Sequence, residues 1–398
     1  MLSVEAALER LLAGVAALPA ERLPLAACLG RFAAERVVAA APVPPFTNSS
    51  MDGYAVRGAD LPGAMRVVGE VRAGTARETP LEAGTAVRIM TGAPLPPGAD
   101  TVVPQEVAAF EGGWIHVNGE APSAGGFVRQ AGEDTREGDE ILAAGMELTP
   151  ARIAVLASCG VAAVAVARRP RVTILSTGDE LTEPGAPLAD GAIYDANTPA
   201  LEAAVREAGA EPVSLERAGD DPQLIEDRVA GGAAGADAMV ISGGVSVGEH
   251  DHVRGAIERL GSLEFWRINV QPGKPLAFGR VRGTPVFGLP GNPVSALVTF
   301  ELFVRPMLRR LEGAMGDGRP HVRARAVATI AKDPSRRAYL RVRLHAAADG
   351  YEAAPAGGQS SGQLRPLADA NALLVVPEGE PSAEPGRWYD AVVMGHLP

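Results

Sequence analysis

Residues 236–260 read ADAMVISGGVSVGEHDHVRGAIERL. An apolar run, ADAMVIS, stops at Gly243 and Gly244. A loop of small residues follows, and HVRGAIERL then carries the apolar spacing of a helix. Strand, loop and helix form the repeating unit of a parallel sheet, and the unit recurs on both sides. RVTILST (171–177) reads as a strand and NTPALEAAVREAG (197–209) as a helix, with Asn197 its expected cap and Pro199 in its first turn. EPVSLERAGDDP (211–222) is a strand running into a carboxylate loop. TPVFGLPGNP (284–293) is a strand ending in a loop, and VSALVTFELFVRPMLRRL (294–311) is a long helix. The alternation predicts a three-layer α/β domain, a mostly parallel sheet with helices on both faces. Ligands in such folds sit outside the carboxyl ends of the strands.

The texture differs on either side of this block. Residues 1–18, MLSVEAALERLLAGVAAL, have the spacing of an amphipathic helix over 3–17, with Ser3 as a cap; acids at Glu5 and Glu9 do not suit a signal peptide. PVPPFTN (42–48) breaks regular structure. Residues 50–140 alternate short apolar runs, at 65–71, 86–90, 101–105 and 114–119, with Gly and Pro, and read as short strands of a small β-rich module. Residues 137–160 close that module and start a helix near Pro150. Beyond about residue 318, AYLRVRLHAA places Leu340, Val342 and Leu344 on one face and Arg341 and Arg343 on the other. NALLVVPEG and WYDAVVMG are further strands of a C-terminal β-barrel or sandwich.

At 398 residues the chain is too long for one ordinary core. Its 37 Lys and Arg stand against 48 Asp and Glu, a net charge of −11, which argues against nucleic acid and against a membrane surface as partners. No apolar run reaches membrane-spanning length. Only Cys28 and Cys159 occur, far apart, which fits a reducing compartment and excludes a thiolate metal cluster within the chain. The expectation is a cytoplasmic enzyme.

Chemistry concentrates in the loops after the strands. Gly243 and Gly244 let backbone N–H groups approach a ligand closely, Ser242 and Ser246 add hydroxyls, and Gly248 opens the next helix; a phosphate is the natural occupant. A tight strand-to-helix turn is the plain alternative. Glu249 and Asp251 stand beside that seat and would repel a phosphate, a conflict that a hard divalent cation such as Mg²⁺ resolves. His250 and His252 flank Asp251, but no other histidine sits near a sheet loop, which disfavours a transition metal. STGDEL adds Thr177, Gly178, Asp179 and Glu180, IYDAN adds Asp195, and RAGDDP adds Asp220 and Asp221. Any one of these acids is most simply a cap or turn former, and Asp195 and Asp221 fit that description best. Four acidic loops on one rim point to a site. Lys274, between Gly273 and Pro275 in INVQPGKPLAFG, suits a phosphate or oxyanion. Pro290, Gly291, Asn292 and Pro293 precede a helix with Ser295 in its first turn.

The stretches NSSMDGYAV, RIMTGAPLPPGADTVVPQE, AGEDTREGD, RVTILSTGDEL, IYDAN, ISGGVSVGEHD, QPGKPLAFG and GLPGNPVSA together resemble, in order and over almost the whole chain, the molybdopterin molybdenumtransferase family, the bacterial MoeA type and the C-terminal domain of gephyrin. The resemblance implies a homodimer of four-domain subunits: a split domain of residues 1–41 and 141–168, a β-rich insert of 42–140, a molybdopterin-binding α/β domain of 169–317 and a C-terminal β domain of 318–398. It implies molybdate insertion into adenylylated molybdopterin with loss of AMP, dependent on Mg²⁺. By the family's motifs Asp52, Asp134, Glu180, Asp220 and Asp251 align with its functional acids; Glu180, Asp220 and Asp251 are the implied metal ligands. In such dimers Asp52 and Asp134 serve the partner's site. A molybdopterin adenylyltransferase and cofactor-accepting enzymes are the implied protein partners. Where some members carry lysines this chain has Arg267 and Gln271, which shifts the burden of anion binding to Lys274. Adenylylation of molybdopterin, or a related nucleotide hydrolysis, and a scaffold role are the competing functions, the first because the α/β fold is shared and the second because gephyrin also anchors receptors.

Overall fold

The structure, a computed structural model, describes residues 1–75, 78–117, 121–244, 252–316 and 318–397. Its centre is a six-stranded sheet. In chain order the strands are β1 (Arg171–Thr177), β2 (Glu211–Ala218), β3 (Ala238–Ser242), β4 (Gly261–Arg267), β5 (Pro275–Val281) and β6 (Thr284–Leu289). They lie in the order β2-β1-β3-β6-β5-β4. β2, β1, β3 and β6 run parallel, and β5 and β4 close one side antiparallel. The mostly parallel sheet expected from the strand-loop-helix repeat is therefore present.

Alternation along the strands explains the layers. Val172 and Ile174 of β1, with Val240, Phe278 and Phe287, join the core under α3 (Asn197–Glu207) and α6 (Pro293–Thr299). Leu175, Met239, Ile241, Ala277 and Val286 face the other way, under α4 (Pro222–Ala234) and α5 (His252–Leu260). A strand buried on both faces is apolar at most positions, which is why these segments read as nearly continuous hydrophobic runs, with Thr173 and Ser176 among the polar exceptions in β1. Burying each large aliphatic or aromatic side chain contributes about 1.5–3 kcal/mol before the entropy of ordering is subtracted. The long helix expected over 294–311 is α6, then a π-helical turn at Phe300–Val304, then α7 (Arg305–Leu311). Thr299 hydroxyl bonds to the carbonyls of Ser295 and Ala296, and Pro306 in α7, which has no N–H to donate, both disturb the regular ladder there.

The first helix, α1 (Val4–Leu12), is shorter than the 3–17 expected. Ser3 caps it as anticipated, its hydroxyl accepting from the Ala6 N–H at 3.1 Å. It stops because Ala13 is extended and Gly14 adopts φ +71°. Val4, Ala7 and Leu11 pack into the central core beside Met307 and Leu308. Residues Ala20–Pro24 pair antiparallel with Ala163–Ala167, and Val37–Val38 with Glu140–Leu142, so early and later segments fold together across the insert. α2 (Pro150–Ser158) lies there, capped by Thr149. Between these segments sits a second six-stranded sheet, built from Gly53–Val56, Gly63–Val71, Thr85–Ile89, Thr101–Pro104, Ala109–Glu111 and Trp114–Val117.

At the C-terminus the strands His321–Ala326, Gly350–Pro355, Arg337–Ala347, Ala372–Val376 and Trp388–Val393 pair in a closed ring, a five-stranded barrel. Leu340, Val342 and Leu344 face its interior, as their alternation required. Arg341, on the other face, is only 1% exposed rather than solvated. The 357–363 loop folds over it: its guanidinium donates to the carbonyls of Gly358 (2.8 Å) and Ser360 (3.2 Å), while Nε is buried without a partner. Alternation placed the side chain correctly, but only the packing of that loop decided what covers it.

Candidate functional site

Strand order reverses between β1 and β3, since β2 lies on one side of β1 and β6 on the far side of β3. The loops leaving the two strands must part in opposite directions, and a crevice opens at their carboxyl ends. The structure has a cleft of about 510 Å³ there, within the range of small-molecule sites. Thr177 and Gly178 come to it from β1, Asp220 from beyond β2, Ser242, Gly243 and Gly244 from β3, and Gly291, Asn292 and Pro293 from beyond β6. Glu180 lies at its edge, its carboxylate folded over Gly178, where a built Cβ would meet it at 2.5 Å.

The glycine pair is required by shape. Gly243 and Gly244 have φ of +91° and +62°, and side chains on them would strike Thr177 and Val253. The N–H of Gly243 is not free for a ligand, however. It donates to the Leu289 carbonyl at 3.2 Å, and that of Gly178 donates to Ala218 at 3.1 Å. The expected nest of free backbone donors is reduced accordingly. Ser246, Gly248 and Asp251, with Glu249, lie outside the described residues.

Asp195, not Asn197, caps α3. One carboxylate oxygen accepts from the N–H groups of Asn197 (3.1 Å) and Thr198 (3.0 Å), and the other from the Thr198 hydroxyl (2.6 Å). The Thr198 hydroxyl in turn meets Ser176 Oγ at 2.7 Å, and Arg217 approaches Asp195 at 3.4 Å. Asp221 caps α4 through Gln223 and Leu224. The plain readings of Asp195 and Asp221 as caps therefore describe them. Asp179 braces the rim, accepting from the Asp220 N–H at 3.1 Å, and is not in the cleft wall.

Lys274, Pro290 and Ser295 are also absent from the wall. Pro290 and Ser295 are buried beneath it, and the Ser295 carbonyl accepts from Thr299. Asn292 bridges to the barrel, its amide donating to Ser361 Oγ at 3.1 Å. Gln271 does the same from another direction, its amide oxygen accepting from the Asp333 N–H at 3.0 Å. Arg267 stacks on the Trp266 ring at 3.9 Å. Asp52 and Asp134 belong to the inserted region and are not among the residues lining the cleft. The N–H and hydroxyl of Thr91, each 2.7 Å from the Asp52 carboxylate, hold its pKa below the usual carboxylate range.

Several wall residues were not expected as ligand contacts: Leu181, Ile193, Tyr194, Ala196, Asn197 and His252. Ile193 and Tyr194 pair with Leu181–Thr182 and form an exposed apolar lip. Two apolar residues ahead of an acid in a predicted loop were the available signal. Among the described lining residues there is no Lys or Arg, and Asp195, Glu180 and Asp220 are acids. No cluster of three His, Cys, Asp or Glu is placed to hold a metal among the described residues. Two carboxylates facing an unneutralised cleft do suit one Mg²⁺, which takes one or two carboxylates and completes its shell with phosphate oxygens and water. Among the described residues, no helix is long and apolar enough to cross a membrane.

Three family models cover the chain: the MoeA N-terminal region (domain I and II) at residues 2–160, a probable molybdopterin binding domain at 173–310, and the MoeA C-terminal region (domain IV) at 323–393. The chain is 41% identical over 374 residues to molybdopterin molybdenumtransferase 2 of Mycobacterium tuberculosis, spanning 89% of this chain and 90% of the relative. It is 37% identical over 382 residues to the molybdopterin molybdenumtransferase of Haemophilus influenzae, spanning 95% and 94%. A crystal structure of a molybdopterin biosynthesis MoeA protein from Pyrococcus horikosii superposes with a TM-score of 0.84 at 33% identity, covering all of both chains.

Proposed function

The chain belongs to the MoeA family of molybdopterin molybdenumtransferases, and from that we propose that it inserts molybdate into adenylylated molybdopterin in molybdenum cofactor biosynthesis, with Mg²⁺-dependent release of AMP. The observation that carries the finer reading is the cleft at the strand-order reversal, walled by carboxylates and lacking Lys and Arg among its described lining residues. A substrate bearing a phosphoanhydride would be repelled by such a wall on its own. Glu180 and Asp220, with Asp251 as the third acid of the motifs, would hold a Mg²⁺, which would supply the positive charge that phosphate oxygens need. The Thr177 and Ser242 hydroxyls are the donors at the floor. The apolar lip of Ile193 and Tyr194 covers a flat heterocycle and excludes water. Lys274, in its Gly-Lys-Pro turn, carries the anion-binding role. Cleavage of the phosphoanhydride releases AMP, and molybdenum, the substrate metal, ends on the dithiolene sulfurs.

The chain divides, in this reading, into 1–41 with 141–168, 42–140, 169–317 and 318–398, supported by the pairing of Ala20–Pro24 with Ala163–Ala167. It acts in the cytoplasm as a homodimer, in which Asp52 and Asp134 reach the partner's cleft; their absence from their own subunit's cleft supports this. A molybdopterin adenylyltransferase supplies the substrate, and cofactor-accepting enzymes take the product.

The test is to mix the protein with adenylylated molybdopterin and Mg²⁺, with and without molybdate, and to follow AMP. Molybdate-dependent AMP release with metal-loaded pterin is expected. Consumption of ATP instead would favour adenylylation, and no release under any condition a binding role. For the dimer, Asp52→Asn and Asp220→Asn proteins are each expected to be inactive, and a mixture allowed to exchange subunits to regain activity. No regain in a demonstrated heterodimer overturns the shared site.

A further inference from the structure

Asn197 is the first residue of α3, where an asparagine is ordinarily explained as a cap. That explanation fails here, because the Asp195 carboxylate already receives the N–H groups of residues 197 and 198. The Asn197 side chain reaches across the cleft floor instead. Its Nδ2 donates to Ser242 Oγ at 2.6 Å and to the Gly291 carbonyl at 2.7 Å. A carbonyl can only accept, so the amide orientation is set by chemistry: nitrogen must face Gly291. The consequence is that Oδ1 is buried with no hydrogen-bond partner among the described residues. An orientation that leaves a buried acceptor unpaired persists only when the two bonds on the other side outweigh it.

Ser242 and Gly291 end β3 and follow β6, and both line the cleft, as Asn197 does. Gly291 approaches Gly243 closely, a built Cβ lying 3.7 Å from its Cα. One amide thus joins three separate segments at the point where the sheet order reverses. We propose that Asn197 is a positioning residue for substrate: it clamps the Ser242–Gly244 turn to the Gly291–Pro293 loop and so sets the width of the cleft. The inference rests on the cleft being the molybdopterin site.

Four variants test it in the AMP-release assay with the intact protein: Asn197→Asp, Asn197→Ala, Ser242→Ala and the double variant Asn197→Ala/Ser242→Ala. Asn197→Asp keeps the size but turns a carboxylate oxygen toward the Gly291 carbonyl. It is expected to raise KM for adenylylated molybdopterin about tenfold, with a smaller change in kcat. Asn197→Ala is expected to act in the same direction. Because Asn197 acts partly through Ser242, the double variant should lose less than the sum of the two single losses. Thr198→Val is the control. It removes a neighbouring buried hydroxyl bonded to Asp195, and should lower Tm while leaving KM within about twofold. A wild-type KM in both Asn197 variants, a KM rise in Thr198→Val equal to theirs, or strict additivity with Ser242→Ala overturns the clamp. A wild-type protein that releases no AMP overturns the functional reading itself, a result distinct from any of these.

Discussion

At the end of the central sheet where β1 begins, Arg168 meets Asp237 through two bonds of 2.6 Å, and the Arg171 N–H donates to the same carboxylate at 2.8 Å. At the opposite end, where β1 stops, Thr177 Oγ1 and Asn197 Oδ1 are buried with no partner, and Glu180 and Asp220 face a cleft without a lining Lys or Arg among the described residues. The same strand connects both ends, and its register is continuous with β3. At one end the Arg168, Asp237 and Arg171 groups satisfy one another. The other leaves groups unsatisfied that a ligand and its cation can satisfy. Unpaired polar atoms are unfavourable for folding, so their clustering at one end of a well-packed sheet is a pointer to binding.

The largest expected effect sharpens the contrast. Asp220→Asn and Glu180→Gln remove charge from the open end, where both residues line the cleft and neither has an ion pair among the described residues. Each should lower turnover by about 100-fold or more with Tm essentially unchanged, measured by AMP release and calorimetry. Full turnover in both variants would break the assignment.

Next in size is a buried carboxyl near the paired end, packed against Gly209 just ahead of β2. Glu312 is 2% exposed at the end of α7, its Oε2 3.6 Å from Arg309 Nη1 but without a hydrogen bond among the described residues. Burial raises its pKa from 4.5 to about 7, against the lowering pull of Arg309, Arg31 and Arg169 and with a further rise from Glu147. A raised folded pKa means that its contribution to stability is full below about pH 4.5 and is lost as pH rises through about 7. Glu312→Gln should therefore stabilise the protein at pH 8, by on the order of 2–3 kcal/mol, and have little effect at pH 4.5. Denaturant melts at the two pH values check this; equal effects at both would show that the carboxyl does not titrate differently on folding.

The smallest effect falls at the paired end. The Asp237 pKa is lowered: its burial opposes that, and the Arg168 bonds and the Arg171 N–H outweigh burial. A lowered folded pKa gives stability that is present above the unfolded value and lost as pH falls through the folded one. Asp237→Asn should cost about 1 kcal/mol at neutral pH, a modest figure because Arg168 is partly exposed, and the deficit should shrink on acidification. AMP release by this variant should match wild type. A loss of activity there would mean that the two ends are coupled.

Much of this was legible in the residues. The strand-loop-helix alternation from 171 to 311 revealed the layered sheet because a strand covered on both faces admits almost no polar residue. The motif order revealed the family. The insert and the barrel were visible as short alternating runs, with Leu340, Val342 and Leu344 placed correctly. Other features were not legible, because side-chain partners can be distant in sequence. Asn197 looked like a cap until Asp195 was seen to occupy that role. Arg341 was placed on the outer face by alternation, but nothing local foretold the 357–363 loop that buries it. Gly243 looked like a free donor until Leu289 was seen to take its N–H. Asp52 and Asp134 matched functional motifs, yet lie away from the cleft that their motif partners line.

The sequence by itself determined the element types, the acidic and glycine-rich character of the loops, and the family, because periodicity and local motif are short-range properties written in neighbouring residues. Tertiary structure alone decided which loops share a cleft, which polar atoms remain unpaired within it, and that one amide at position 197 joins segments 45 and 94 residues away. Those outcomes depend on strand order and close packing, which bring together groups that no local pattern connects.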